Sequence, residues 1–305
     1  IHSNGGGSAE IKALYEISPL MGIKKLLGGN VKVSYAPGYV IPDKKEASEI
    51  NWQAASTETA ENTEKESTVS GRTLDEKQQE ALAEAVALAK ASDIVIFVGG
   101  LNHDFDVEGL DRVNMKLPYG QDEVIDALLK AVPDTVVCMY AGAPVEMPWA
   151  EKAKAILWSY YAGMEGGTAL AEILSGKVNP SGKLAETFIR DASQCPAHTI
   201  GTFGKKDRVE YREGVMVGYR YYDTKKTDVL FPFGHGLSYT AFTYNDLEII
   251  RQQENGRQTV KVSCSATNTG EHAGKETVQI YVAPEQKKDL SLIHISEPTR
   301  RTPIS

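Results

Sequence analysis

The richest concentration of reactive groups lies in FVGGLNHDFDVEGLDRVNMKLP, residues 97–118, where Asp104, Asp106, Glu108 and Asp111 fall within eight positions. A carboxyl group can give up a proton, take one or attack an electrophile. Crowding by like charges raises the pKa of a central member, as general acid catalysis at neutral pH requires. The loop follows the apolar run IVIFV directly, and ligands of open parallel α/β sheets sit beyond the C-terminal strand ends. Gly99 and Gly100 are expected to keep the loop flexible. Arg112 acts in the opposite sense on Glu108, unless Asp111 neutralises it. The competing reading is a solvated acidic loop with no catalytic duty, and spacing alone does not choose between the two.

Other chemistries find less support. The glycines of FVGGLN and GGGSA follow apolar segments but match neither G-x-G-x-x-G nor the phosphate-loop spacing, so a nucleotide-binding domain is a distant alternative. The histidines at 2, 103, 198, 235, 272 and 294 are scattered, without paired ligand spacing, so no metal and no cofactor is expected. No G-x-S-x-G elbow occurs. Glu213 in YREGVMVGYR is a second Glu-Gly candidate, but Arg212 and Arg220 beside it favour a structural ion pair. Tyr211, Tyr219, Tyr221 and Tyr222 could stack on sugar rings or fill space between domains, and the area that aromatics bury favours packing.

The elements that must position these groups follow from periodicity. Ser18-Pro19 reads as a helix start and Gly28 as its stop. VKVSYA (31–36) alternates as a strand. Residues 42–72 are polar and acidic, an excursion from the core. Thr73 and Glu76 have capping-box spacing before a helix that places Leu82, Ala85, Val86 and Ala89 on one face. DIVIFV (93–98), TVVCMY (135–140) and AILWSYY (155–161) read as buried strands, the first buried on both faces. A helix with Val124, Ile125, Leu128, Leu129 and Val132 lies between the first two, and EGGTALAEILSG (165–176) is a further helix. Strands alternating with helices imply parallel βαβ units with helices on both sheet faces, a three-layer α/β sandwich with a mostly parallel sheet. Residues 210–244 are rich in aromatics and lack a helical period. NDLEIIRQ, QTVKVSCSATN and ETVQIYVAP then read as strands of a truncated all-β segment.

Composition agrees with a folded domain: 305 residues, 41% apolar and 24% charged. The formal net charge of −8 argues against nucleic acid and anionic membrane surfaces as partners. No apolar run approaches the roughly 20 residues of a bilayer span. The cysteines, Cys138, Cys195 and Cys264, lack metal-type spacing and do not fix the redox compartment. Periplasmic or extracellular location is expected ahead of cytoplasmic.

Five segments, GLNHDFDVEGLDRVNMKLPYGQDEVIDALL, APVEMPW, GKVNPSGKLAETF, EGVMVGYRYYD and FPFGHGLSYT, occur in an order that resembles glycoside hydrolase family 3 of the β-glucosidase type, over roughly residues 1–285. The resemblance implies that residues 1–240 are the family's C-terminal α/β sandwich domain and 241–288 the start of a fibronectin type III-like domain. Residues 289–305 then read as a non-native tail, and the N-terminal (β/α)8 barrel is missing. It implies a fragment of a retaining exo-acting β-glycosidase, foremost a β-glucosidase acting on terminal β-D-glucosyl residues of glucosides or oligosaccharides. Glu108, in Glu108-Gly109-Leu110-Asp111-Arg112, matches the family's E-G-x-D-R loop and its general acid/base. Asp111 and Arg112 would order that loop. Ser8 matches a glycine-rich loop that contacts the sugar. The nucleophile stretch Ser-Asp-Trp does not occur, so the fragment alone is expected to be inactive. A β-xylosidase of the same family and a non-catalytic carbohydrate-binding module are the alternatives.

Overall fold

A computed structural model describes residues 3–41, 74–204, 208–254 and 256–281. The capping residues expected at Thr73, the excursion 42–72 and the tail 289–305 lie outside the described residues. The chain divides into two compact units, one of residues 1–172 with 188–213, the other of 173–187 with 214–305.

In the first unit, α1 (Pro19–Leu27) starts where the sequence signals. Ser18 Oγ accepts the Met21 N–H at 3.2 Å, satisfying an N–H with no partner inside the helix, and Gly28 closes the helix at φ 60°. Its Gly22 meets Gly167 of α4 (Gly166–Leu174) so closely that a Cβ on Gly22 would lie 2.0 Å from the Gly167 carbonyl oxygen. Only a residue without a side chain permits that approach.

Helix α2 (Leu74–Lys90) buries Ala81, Ala85 and Ala89. Strands β1 (Ile96–Gly100), β2 (Val136–Tyr140) and β3 (Ala155–Trp158) form a parallel sheet in that order, with α3 (Gln121–Ala131) crossing from β1 to β2. The central strand β2 buries Val137, Cys138, Met139 and Tyr140, the pattern of a strand covered on both faces. Burial pushes the Cys138 thiol up to about 12, which marks a core residue rather than a nucleophile.

Strand β1 departs from expectation. It is an edge strand among the described residues, and it alternates half-buried with buried, so one of its faces is less covered than the other. VKVSYA (31–36) forms no strand, and the third expected strand of the unit ends at Trp158, since Tyr160 takes a left-handed φ of 46°. Helix α3 buries Val124, Ile125, Leu128 and Leu129 as its periodicity predicts. A short helix α5 (Pro196–Thr199) follows Phe188, which is buried against Trp158 at 4.7 Å between ring centroids.

In the second unit the aromatic stretch does contain a helix, α6 (Tyr219–Lys225), which the residue pattern did not announce. Tyr219 stacks on Phe233 at 5.0 Å, and Tyr222 is buried. GKVNPSGKLAETF and FPFGHGLSYT are laced together: Leu184 N–H donates to His235 O and Gly234 N–H to Leu184 O, each at 2.8 Å. Asn179 Oδ1 accepts from Ser238 Oγ and Tyr239 N. The half-buried Lys183 ammonium lies 3.2 Å from Glu276. Strands β4 (Phe242–Glu254) and β5 (Arg257–Asn268) form an antiparallel hairpin, bulged between Asn245 and Glu248. The described part of ETVQIYVAP pairs with neither. The architecture is α/β, with one parallel and one small antiparallel sheet.

Candidate active site

The acidic loop leaves β1 at Gly100, and that exit is crowded. Gly100 has φ 138°, and a Cβ there would sit 1.8 Å from the Tyr140 carbonyl oxygen. A Cβ on Gly99 would lie 2.4 Å from Gln121 Oε1 and 2.5 Å from the Phe97 ring. These glycines are therefore strand residues chosen for close packing, and the expectation that they make the loop flexible is corrected. Gln121, fully buried at the first turn of α3, accepts the Gly100 N–H through Oε1 at 2.7 Å. It donates through Nε2 to Gly100 O at 2.9 Å and to Pro118 O at 3.0 Å. One side-chain amide thus pairs with both backbone polar groups of a single half-buried strand-end residue, which would otherwise lose these partners.

Beyond Gly100 the loop is held at successive points. Asn102 O receives the N–H groups of Phe105 and Asp106, and Asn102 Oδ1 that of Asp104, closing a turn. Asp104 accepts from Asn102 Nδ2 at 3.2 Å and from Tyr119 OH at 3.4 Å. Asp106 Oδ2 accepts from Gly142 N–H, just past β2, and from Tyr161 OH, just past β3, both at 2.7 Å. Farther along, Arg112 Nη2 donates to Pro144 O at 2.9 Å and Glu146 N–H to Met115 O at 2.7 Å. Asp111 is exposed.

The N-terminal glycines run alongside. Gly6 N–H donates to Asp106 O at 3.1 Å, Gly6 and Val107 form a parallel bridge, and His103 Nε2 lies 2.9 Å from Asn4 O. This brings together the two site residues expected from sequence, Glu108 and Ser8. Ser8 N–H donates to Glu108 Oε2 at 2.9 Å. Gly7, at φ 79°, leaves room for the pairing, since a Cβ on it would lie 2.6 Å from Glu108 Cβ.

Glu108 is exposed, and its pKa is lowered, first by the Ser8 hydroxyl and then by the Ser8 N–H, against a small opposing effect of burial. The expectation that crowded carboxylates raise it is overturned. Asp104 and Asp106 are engaged elsewhere, and donors aimed at the ionised form outweigh them. Arg112 does not pair with Glu108 either; it reaches Pro144. Glu213 is not the ion pair expected: Arg212 bonds Glu210 at 2.5 Å and Arg220 lies over the Tyr219 ring, while Glu213 Oε2 is buried with no hydrogen-bond partner among the described residues. Of the four tyrosines considered as a sugar platform, Tyr219 and Tyr222 are packed and Tyr211 is exposed.

Sequence reasoning missed Gln121, Gly142 and Tyr161. The sequence motifs LPYGQ, YAGAP and SYYAG place them at element ends, but nothing local says that they meet the acidic loop. Among the described residues no cluster of three or more His, Cys, Asp or Glu is placed to hold a metal ion. No helix there is long and apolar enough to cross a membrane.

A family model for the glycosyl hydrolase family 3 C-terminal domain matches residues 2–239. The chain belongs to glycosyl hydrolase family 3. A beta-glucosidase of Bacteroides ovatus is 41% identical over 287 residues, which cover 92% of this chain and 35% of that protein. The thermostable beta-glucosidase B of Acetivibrio thermocellus is 46% identical over 204 residues, 67% of this chain and 27% of that one. The crystal structure of a family 3 beta-glucosidase from Bifidobacterium adolescentis matches with a TM-score of 0.77 and 33% identity, over 98% of this chain and 39% of its own. The chain therefore spans about a third of the length of these family 3 relatives.

Proposed function

We propose that this chain supplies the general acid/base half of a retaining, exo-acting β-glycosidase site that removes terminal β-D-glucosyl residues, with Glu108 as the acid/base. The observation that supports this most is an exposed Glu108 carboxylate on a loop fixed at the C-terminal end of a parallel sheet, in a chain whose family 3 relatives are beta-glucosidases. In the first step the protonated carboxyl donates its proton to the glycosidic oxygen while an aspartate of a barrel domain attacks the anomeric carbon. In the second, the carboxylate takes a proton from the water that displaces that aspartate. Retention needs the two carboxyl groups about 5–5.5 Å apart. The lowered pKa keeps Glu108 ionised, the form from which the base step starts; approach of a second carboxylate raises it for the acid step. Ser8, whose N–H donates to Glu108, would contact a sugar hydroxyl in this reading. Residues 241–288, opened by β4, begin a fibronectin-like domain in this reading.

The test is a hybrid in which the matched segment of the Bacteroides ovatus protein is replaced by this chain. The hybrid is expected to hydrolyse aryl β-D-glucosides. Glu108→Gln should lower kcat/KM by about 100-fold or more for phenyl β-D-glucoside, whose leaving group needs protonation, but only slightly for the 2,4-dinitrophenyl analogue. Azide should restore turnover of Glu108→Ala as a β-glucosyl azide. A folded hybrid without activity, or one indifferent to Glu108, overturns the reading.

A further inference from the structure

Asp106 is two residues from Glu108, yet its side chain serves a different purpose. Its Oδ2 joins the ends of β2 and β3 through the Gly142 N–H and the Tyr161 hydroxyl, both at 2.7 Å, and its carbonyl oxygen receives Gly6 N–H at 3.1 Å. Three separate segments, the N-terminal glycine loop and the two strand ends, thus converge on one residue. The fit leaves no spare volume: a Cβ on Gly142 would lie 2.8 Å from Asp106 Oδ2 and 3.1 Å from Tyr161 Cε2. The Tyr161 ring also lies against Gly5, where a Cβ would be 3.7 Å from Cε2. Burial, and then Asp106 itself, push the Tyr161 hydroxyl up, so it stays a proton donor to that carboxylate across the working pH range. Only Val107, bridged to Gly6, stands between this anchor and Glu108.

We propose that Asp106 is a positioning residue: by clamping the loop to Gly142, Tyr161 and Gly6 it sets the Glu108 carboxylate against Ser8 and aims it at the glycosidic oxygen. The inference rests on the acid/base reading of Glu108. An exposed glutamate on an unclamped loop would sample many directions. A proton donor displaced by about 1 Å loses much of its effect, because catalysis by a held group depends on orientation.

Two measurements test this. In the 305-residue chain, carbon-detected NMR follows the Glu108 carboxyl, assigned by its loss in Glu108→Gln, together with the Ser8 amide. Asp106→Ala should raise the Glu108 midpoint towards the ordinary glutamate value of about 4.3 and abolish the pH dependence of the Ser8 amide. Tyr161→Phe, which removes one of the two donors and leaves the aromatic packing, should shift the midpoint the same way by less. It decides the question if Asp106→Ala does not fold. An unchanged Glu108 midpoint in a folded variant overturns the proposal.

In the hybrid enzyme, Asp106→Ala should lower kcat/KM for phenyl β-D-glucoside about 10-fold or more and leave the 2,4-dinitrophenyl substrate within about 2-fold, since only the former needs an aimed proton. Equal losses on both substrates make the residue merely structural and overturn the proposal. The split in Glu108→Gln without the split in Asp106→Ala sinks this inference alone. Its absence in Glu108→Gln sinks the acid/base reading.

Discussion

At Glu108 the sign of the pKa shift follows from its hydrogen-bond partner. Donors at Ser8 favour the carboxylate, so its folded-state midpoint lies below the ordinary glutamate value. For a depressed carboxyl, the clasp is fully present above the unfolded-state pKa and is lost as pH falls through the folded one. Acidification should therefore release Ser8, and its amide resonance should titrate with the Glu108 midpoint in the isolated chain. Ser8→Ala, which keeps the N–H and removes the hydroxyl, should raise that midpoint only part of the way. A Ser8 amide insensitive to pH around the Glu108 midpoint would contradict the geometry. Glu108 and Ser8 were legible in the sequence only through family resemblance. Charge spacing pointed to the same loop but to the opposite direction of shift, because it could not show that Asp104 and Asp106 each face other donors.

At the scale of elements, the loop is only as rigid as the strand end it leaves. Gly100→Ala combines a positive φ with a Cβ driven into the Tyr140 carbonyl, and should destabilise the chain by about 3 kcal/mol or more in urea unfolding. Gln121→Ala removes the side-chain partner of the half-buried Gly100 N–H and C=O and should cost about 1–3 kcal/mol. Stability unchanged by either substitution would show that the strand end adapts. Helix α1 with its Ser18 cap, the buried face of α3 and the strand β2 were all readable, because capping and burial leave local marks. The edge character of β1 and the tight packing at Gly99 and Gly100 were not, since both depend on residues 20–40 positions away along the chain. Helix α6 escaped notice because its Tyr-Arg-Tyr-Tyr start shows no helical period.

For the whole molecule, the two compact units differ in how they are secured. The first has a parallel sheet whose central strand is buried; in the second, β4 and β5 pair only with each other among the described residues, and Leu247, Ile249 and Val260 are exposed. Two-stranded ribbons are marginal on their own. Hydrogen exchange should be fast across Phe242–Asn268 and slow across Val136–Tyr140, and the hairpin should be the first region to associate at high protein concentration. Equal protection of the two would count against this. The α/β class was evident from alternating patterns, whereas the grouping of 173–187 with 214–305 rests on pairings such as Leu184 with His235, which no local pattern announces.

Two of the donors that reach Glu108 and Asp106, from Ser8 and Gly142, are peptide N–H groups. A codon change replaces a side chain but leaves that N–H in place, proline excepted. That part of the grip is insulated from mutational drift at Ser8 and Gly142, whereas the hydroxyls of Ser8 and Tyr161 are not. What drift can damage is room: alanine at Gly7 or Gly142 would drive a Cβ to within 2.6 Å of Glu108 Cβ or 2.8 Å of Asp106 Oδ2. At these two glycines a substitution changes volume and leaves the hydrogen-bonding chemistry of the backbone intact.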